Sequence, residues 1–173
     1  LALHLMREGG AGPFDDAAVR ERLFAAAAEL EVYVDREVSV ITLRAHRDVI
    51  AEVLPLLEAM LDAPRLEVRA FDRLRRDALD AIRHSLRGTE EEWLAEEALM
   101  AFVYEGHPYG HPVVGTEAGL AAIGREDVLV HLGRVLCASR VVVGVTGRAP
   151  LGLETTLASR FREDARRCSP RPP

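Results

Sequence analysis

The stretch Tyr104-Glu105-Gly106-His107-Pro108-Tyr109-Gly110-His111-Pro112-Val113-Val114-Gly115-Thr116 divides the chain. Gly106, Pro108, Gly110, Pro112 and Gly115 crowd into it, so neither a helix nor a ladder strand can run through. Long helical patterns precede it and shorter elements follow. Thr116 is placed to cap a helix that reopens at Glu117. His107 and His111 stand four apart, the spacing of two zinc ligands on one helical face. Pro108, Gly110 and Pro112 forbid the helix that such a pair needs. The stretch therefore reads as a rigid connector packed on the core, not as a metal site.

Upstream of the connector, Thr89-Glu90-Glu91-Glu92 has the form of a capping box with negative first-turn charge. It opens a helix through Trp93, Leu94, Ala98, Leu99, Phe102 and Val103. Before it, Glu67 to about Arg87 reads as a long helix with Val68, Phe71, Leu74, Ala78, Leu79, Ile82 and Leu86 inward. Its charged stripe of Asp72, Arg75, Arg76, Asp77, Asp80 and Arg83 reads as a solvated face. Asp48–Leu61 steps its apolar residues as an amphipathic helix, and Pro64 ends it. Glu31–Leu43 changes to a period of two and is dominated by β-branched residues, which predicts a hairpin turning near Arg36. Leu1–Arg7 is the buried end of a helix that Gly9-Gly10-Ala11-Gly12-Pro13 stops. Asp15 or Asp16 caps the next, with Val19, Leu23, Phe24 and Ala27 on one face.

Downstream, a short helix is expected near Ala118–Ala122 and another over Arg125–Leu136. Val141–Thr146 is expected as a buried strand, and Leu151–Phe161 as a last helix. Arg166–Pro173 reads as a frayed tail. The expected fold class is α+β, a two-layer sandwich with helices on one face of an antiparallel-rich sheet. Three strands are few for so many helices, so the sheet is expected to lack its N-terminal strands.

The 173 residues are 49% hydrophobic, enough for one or at most two domains with a real core. A net charge of −6 argues against a general nucleic-acid or anionic-membrane surface. No apolar run is long enough for a membrane span. All 22 basic residues are Arg, which together with the abundance of Ala reflects a GC-rich genome. A bacterial cytoplasm or periplasm is the expected compartment. Cys137 and Cys168 lack CxxC spacing and support neither a disulfide framework nor a zinc knuckle. Cys137 reads as structural rather than nucleophilic. The chain opens on Leu1 with a helical pattern under way, so a piece of a longer or processed protein is expected.

None of the six His falls in HExxH or HxxEH, no Gly-rich loop cradles a phosphate after a strand, and no Ser sits in GxSxG. The residues contain no complete catalytic set.

Leu99 to Thr116, Leu-Met-Ala-Phe-Val-Tyr-Glu-Gly-His-Pro-Tyr-Gly-His-Pro-Val-Val-Gly-Thr, resembles the "hPyg.pv.Gt" signature of the M16 peptidase family. That family includes pitrilysin, insulin-degrading enzyme, mitochondrial processing peptidase and the bc1 core subunits. Phe71-Asp72-Arg73-Leu74-Arg75 resembles its "FeReR" helix start. Ile123–Val128 resembles its "It.edl" helix, and Val141–Gly147 its "vvvGd" strand. The resemblance runs collinearly from Leu1 to about Phe161. It implies a single M16-like domain over residues 1–165, incomplete at its N-terminus, with 166–173 a flexible tail.

Active members of that family bind zinc through HxxEH on one helix and a distant Glu. The resemblance, with Gly9-Gly10 set against the family's Gly-Thr, places His4 at the second His and Leu3 at the base Glu. The first His would fall just before Leu1. The distal Glu falls on Ala81, and Leu74 occupies the position of the helper Glu. Leu3 cannot take a proton and Ala81 cannot ligate, so these four positions read as vestigial, with no catalytic or metal residue and no cofactor. The implied role is a non-catalytic domain that pairs with a second M16-type domain or subunit, as a homo- or heterodimer, around a chamber for an extended peptide. The edge strand Glu31, Val32, Tyr33 and Val34 is the implied site of backbone pairing to that peptide. One alternative is an active zinc peptidase with HxxEH outside this chain and Glu90, Glu91 or Glu92 as distal ligand. A purely structural subunit is the other.

Overall fold

The computed structural model describes residues 1–86, 91–137, 140–148, 150 and 152–160. The first helix, α1 (Ala2–Glu8), buries Leu3, Leu5 and Met6 and is stopped at Gly9. Asp15 then caps α2 (Asp16–Ala25), its carboxylate accepting from Ala18 N at 2.8 Å. The α1–α2 loop is joined by backbone bonds to residues more than fifty positions on. Gly12 N donates to Ala63 O at 2.8 Å, Arg65 N to Gly10 O at 3.1 Å and Glu67 N to Gly9 O at 3.2 Å. The approach is so close at Gly9 that a Cβ there would stand 2.6 Å from Leu5 O and 2.9 Å from Leu66 Cα. Only glycine fits this crossing.

A hairpin follows. Strand β1 (Glu29–Val34) pairs antiparallel with β2 (Ser39–Arg44), Val32 opposite Ile41 and Val34 opposite Ser39. The turn is set by Asp35, whose Oδ1 accepts from the backbone N–H of Glu37 at 2.7 Å and Val38 at 2.8 Å. These two bonds hold the Asp35 carboxyl below its ordinary pKa. Leu30, Val32, Val34 and Ile41 pack on the helical core, whereas Tyr33 and Val40, opposite each other on the second face, are exposed. Helices on one face of an antiparallel sheet give the α+β layering expected.

The helical layer contains α3 (Ile50–Asp62) and α4 (Val68–Asp80), with α6 (Glu117–Ala122), α7 (Arg125–Val135) and α8 (Leu153–Arg160) beyond the connector. Leu5, Met6, Leu56, Met60, Leu66 and Val128 are almost wholly buried where α1, α3 and α7 meet. Leu66 holds φ at 48°, a costly conformation for a branched side chain. Arg125 secures it, Nε donating to Leu66 O at 2.7 Å and Nη2 to Arg65 O at 3.1 Å. Thr116 caps α6 by accepting from Gly119 N at 3.1 Å, and Gly124 precedes α7.

Several expectations are corrected. Residues 141–146 form no strand, and Val142 is 97% exposed. A β-branched run favours extended backbone, but a strand forms only where the run is brought alongside another to share hydrogen bonds. Among the described residues the sheet has two strands, β1 and β2. The helix after Glu67 changes character at Ala81 and continues to Leu86 as a π-helix. Val68, at its first turn, faces solvent, as does Phe24 on α2. Ala27 lies beyond the end of α2 at φ 45°. Helix α5 (Glu91–Val103) buries none of its residues, and Leu99, Phe102 and Val103 are exposed. Cys137 is disulfide-bonded. Sequence spacing could exclude a local Cys pair but not one made by tertiary approach. Thr89 and Glu90 of the capping box, and the tail Arg166–Pro173, also lie outside the described residues.

Candidate functional site

Leu3 and His4 lie on α1, Leu74 on α4 and Ala81 at the start of the π-helix. Leu3, 5% exposed, belongs to the same apolar cluster as Phe71, and Leu74 packs partly buried against it. Burial pushes the His4 imidazole below its ordinary pKa, with neighbouring positive charge adding to the effect, so the neutral ring is favoured. One acid, Glu8, closes α1. It is bound by the guanidinium groups of Arg7 and Arg73, the latter from α4. Burial alone would raise the Glu8 pKa; the hydrogen bonds from Arg73 and Arg7 outweigh it and hold the carboxyl below its ordinary value. Among the described residues, no group of three His, Cys, Asp or Glu side chains gathers where it could hold a metal ion.

Arg73 and Arg75 therefore act in packing. Arg73 joins α4 to α1 through Glu8, while Arg75 lies over the Phe71 ring at 5.2 Å and reaches Ile123 O at 3.5 Å. Arg83 extends from the π-helix to Glu117 on α6 at 2.9 Å. The charged stripe of α4 is thus tethering as well as solvated. The bonds of Arg73, Arg75 and Arg83 span 34 to 65 positions and leave no periodic signal.

Of the edge-strand positions, Val32 and Val34 turn toward the core while Glu31 and Tyr33 turn outward. One side of β1 is paired to β2, and among the described residues no third strand pairs with the other side.

The connector packs on the hairpin turn and the end of α5, a correction to the expected seat on the core. Its 3-10 turn, Pro108–Gly110, is capped by His107, whose Nδ1 accepts from Tyr109 N at 3.2 Å. Tyr109 O accepts from Arg36 Nε at 3.0 Å, and Tyr109 OH donates to Glu37, a bond that raises the phenol's pKa. Arg36 also donates to Glu97 Oε2 on α5 at 2.7 Å. The rings of Tyr104, His107 and Tyr109 meet edge-on or tilted, with centroids 4.9 to 5.8 Å apart. Gly110 is required here, since a Cβ would stand 2.6 Å from Tyr104 O. The pairing of Arg36 with Glu97, 61 residues apart, leaves no local signal in the sequence.

No family model matches the chain. The probable mitochondrial-processing peptidase subunit beta of Schizosaccharomyces pombe (strain 972 / ATCC 24843) is 26% identical over 125 residues, covering 69% of this chain and 26% of that protein. The crystal structure of a peptidase M16 inactive domain from Pseudomonas fluorescens superposes with a TM-score of 0.84 at 19% identity, covering 100% of this chain and 42% of that one. The chain thus spans about a quarter of the curated relative and under half of the solved protein. The likeness to M16 peptidases read from Leu99–Thr116 is borne out, and the chain carries the fold of an M16 peptidase domain, matched to one described as inactive.

Proposed function

We propose that this chain is a non-catalytic M16-type domain that pairs with a second M16-type domain to form or support a chamber for an extended peptide. One observation carries the reading. Leu3, at the position of the base Glu, is buried in an apolar cluster against which Leu74, at the helper position, also packs. Ala81 at the distal position offers no donor, and His4 alone cannot supply the three protein ligands of a catalytic zinc. These positions do not fit a zinc ion. The unpaired side of β1 at Glu31–Val34 supports backbone pairing to a peptide. The chain matches part of larger M16 proteins, which supports a partner of the same type. Residues 1–165 are taken as one such domain.

The test combines zinc content with peptide cleavage. The purified chain is assayed by elemental analysis and against a fluorogenic peptide library, alone and mixed with an M16 chain bearing intact HxxEH. The expected result is no metal and no cleavage alone, and a complex with the HxxEH-bearing chain by native mass spectrometry. Stoichiometric zinc with cleavage by the isolated chain would overturn the reading in favour of an active peptidase.

A further inference from the structure

Tyr109 is held at three atoms: its N–H by the His107 ring, its C=O by the Arg36 guanidinium and its hydroxyl by the Glu37 carboxylate. Two of these partners, Arg36 and Glu37, form the tip of the β1–β2 hairpin, and the third is an exposed imidazole. The bond from Tyr109 N requires a lone pair on His107 Nδ1. A doubly protonated imidazole carries N–H on both nitrogens and has no acceptor to offer.

We propose that His107 is the acid-sensitive pin of a latch that holds the hairpin tip against the connector. Proton uptake at Nδ1 turns the cap of the Pro108–Gly110 turn from acceptor into donor, facing Tyr109 N–H. The turn loosens and Tyr109 O shifts away from Arg36, which leaves the bond from Tyr109 OH to Glu37 as the remaining tie described between tip and connector. Arg36 then keeps its bond to Glu97, made through Nη2. The free side of β1 runs up to this tip, so the latch sets how firmly that edge is presented.

Other ionisable groups face the same cluster. Asp35, Arg36 and Glu37 come from the hairpin, Glu97 from α5, Tyr104 and Glu105 from its end, and Tyr109 and His111 from the connector. His111 caps nothing in the 3-10 turn. The two histidines can therefore be separated by substitution.

The experiment is amide hydrogen exchange by mass spectrometry on the full chain between pH 7.5 and 5.5, expressed as protection relative to intrinsic exchange. The parent and His111→Asn are expected to lose protection together at residues 33–40 and 104–112. The loss expected from one cap is roughly 2- to 30-fold. His107→Asn keeps a capping acceptor that does not titrate and is expected to hold its protection throughout. Equal loss in His107→Asn, no loss in the parent, or a loss abolished only by His111→Asn overturns the proposal. Should His107→Asn fail to fold, the 15N shifts of the parent decide. The neutral ring must carry its proton on Nε2, and a proton on Nδ1 overturns the latch.

Discussion

The guanidinium of Arg36 lies 2.7 Å from the carboxylate of Glu97 with both side chains partly buried, so the hairpin turn is fastened to α5. The same guanidinium holds Tyr109 O at 3.0 Å, and three elements meet at one side chain. Arg36→Ala leaves Glu97 short of its partner and frees the carbonyl. The expected cost is about 1–3 kcal/mol, between the values for exposed and fully buried pairs. Glu97→Gln, which keeps an acceptor, is expected to cost less. Urea unfolding of the two single variants and the double variant checks this, and a double-variant loss equal to the sum of the two single losses would show that the pair contributes no coupling.

Gly9→Ala is expected to be among the most damaging small substitutions. The added methyl meets backbone on both sides, Leu5 O and Leu66 Cα, and neither can swing away as a side chain would. A loss of about 2 kcal/mol or more is expected, visible as a lower midpoint in thermal or urea unfolding. Gly133→Ala, which meets nothing within 4 Å, is the control and is expected to be neutral or mildly stabilising.

Leu3→Glu places a carboxylate in the apolar cluster that contains Phe71. The expected loss is about 3 kcal/mol or more at pH 7. Burial raises the pKa of the new carboxyl in the folded state. Its penalty is therefore smallest at low pH and grows as pH rises through the unfolded carboxyl's value. A pH series of Leu3→Glu against the parent measures the difference, and a penalty independent of pH would sink the burial argument.

Acidification of the parent is expected to lower stability in two windows. His4 has a folded pKa below its ordinary 6.5, so its contribution is full above that value and declines as pH falls below it. Glu8 is likewise depressed from 4.5, and the stability it contributes through Arg73 and Arg7 is lost as pH falls beneath that. His4→Gln is expected to flatten the upper window and leave the lower one intact, as read by unfolding free energy between pH 7.5 and 3.5.

Val142→Thr is expected to change stability by less than about 0.5 kcal/mol, because the side chain is 97% exposed and pairs with no strand. Rapid amide exchange over residues 141–146 is the companion observation. A loss above 1 kcal/mol would restore the buried strand that the sequence pattern implied.

These outcomes follow how far local pattern reaches. The hairpin turn beside Arg36 was legible because β-branched residues alternate on either side of an Asp-Arg-Glu turn. The cap at Thr116 and the start of α7 after Gly124 were legible because capping acts within four residues. Val141–Thr146 has the composition of a strand, but composition does not supply a neighbouring edge. Val68 and Phe24 fit a helical stripe and still face water, since the position of the stripe depends on what the helix meets. The π-helix at Ala81 and the Arg36–Glu97 pair depend on tertiary placement, which periodicity does not encode. For the candidate site, the sequence identified Leu3 and Ala81 as groups without acid or ligand chemistry, but not the apolar cluster that contains Leu3 and against which Leu74 packs.

The backbone bonds from Gly9, Gly10 and Gly12 to residues 63–67 close the first third of the chain into a ring, and Arg125 braces the seam. The exposed segment His46-Arg47-Asp48 lies on that ring, away from the seam. A protease nick there opens the covalent loop but leaves both sides of the seam bonded and the hairpin whole. The protein is consequently suited to being divided at this segment into two pieces that reassemble on mixing.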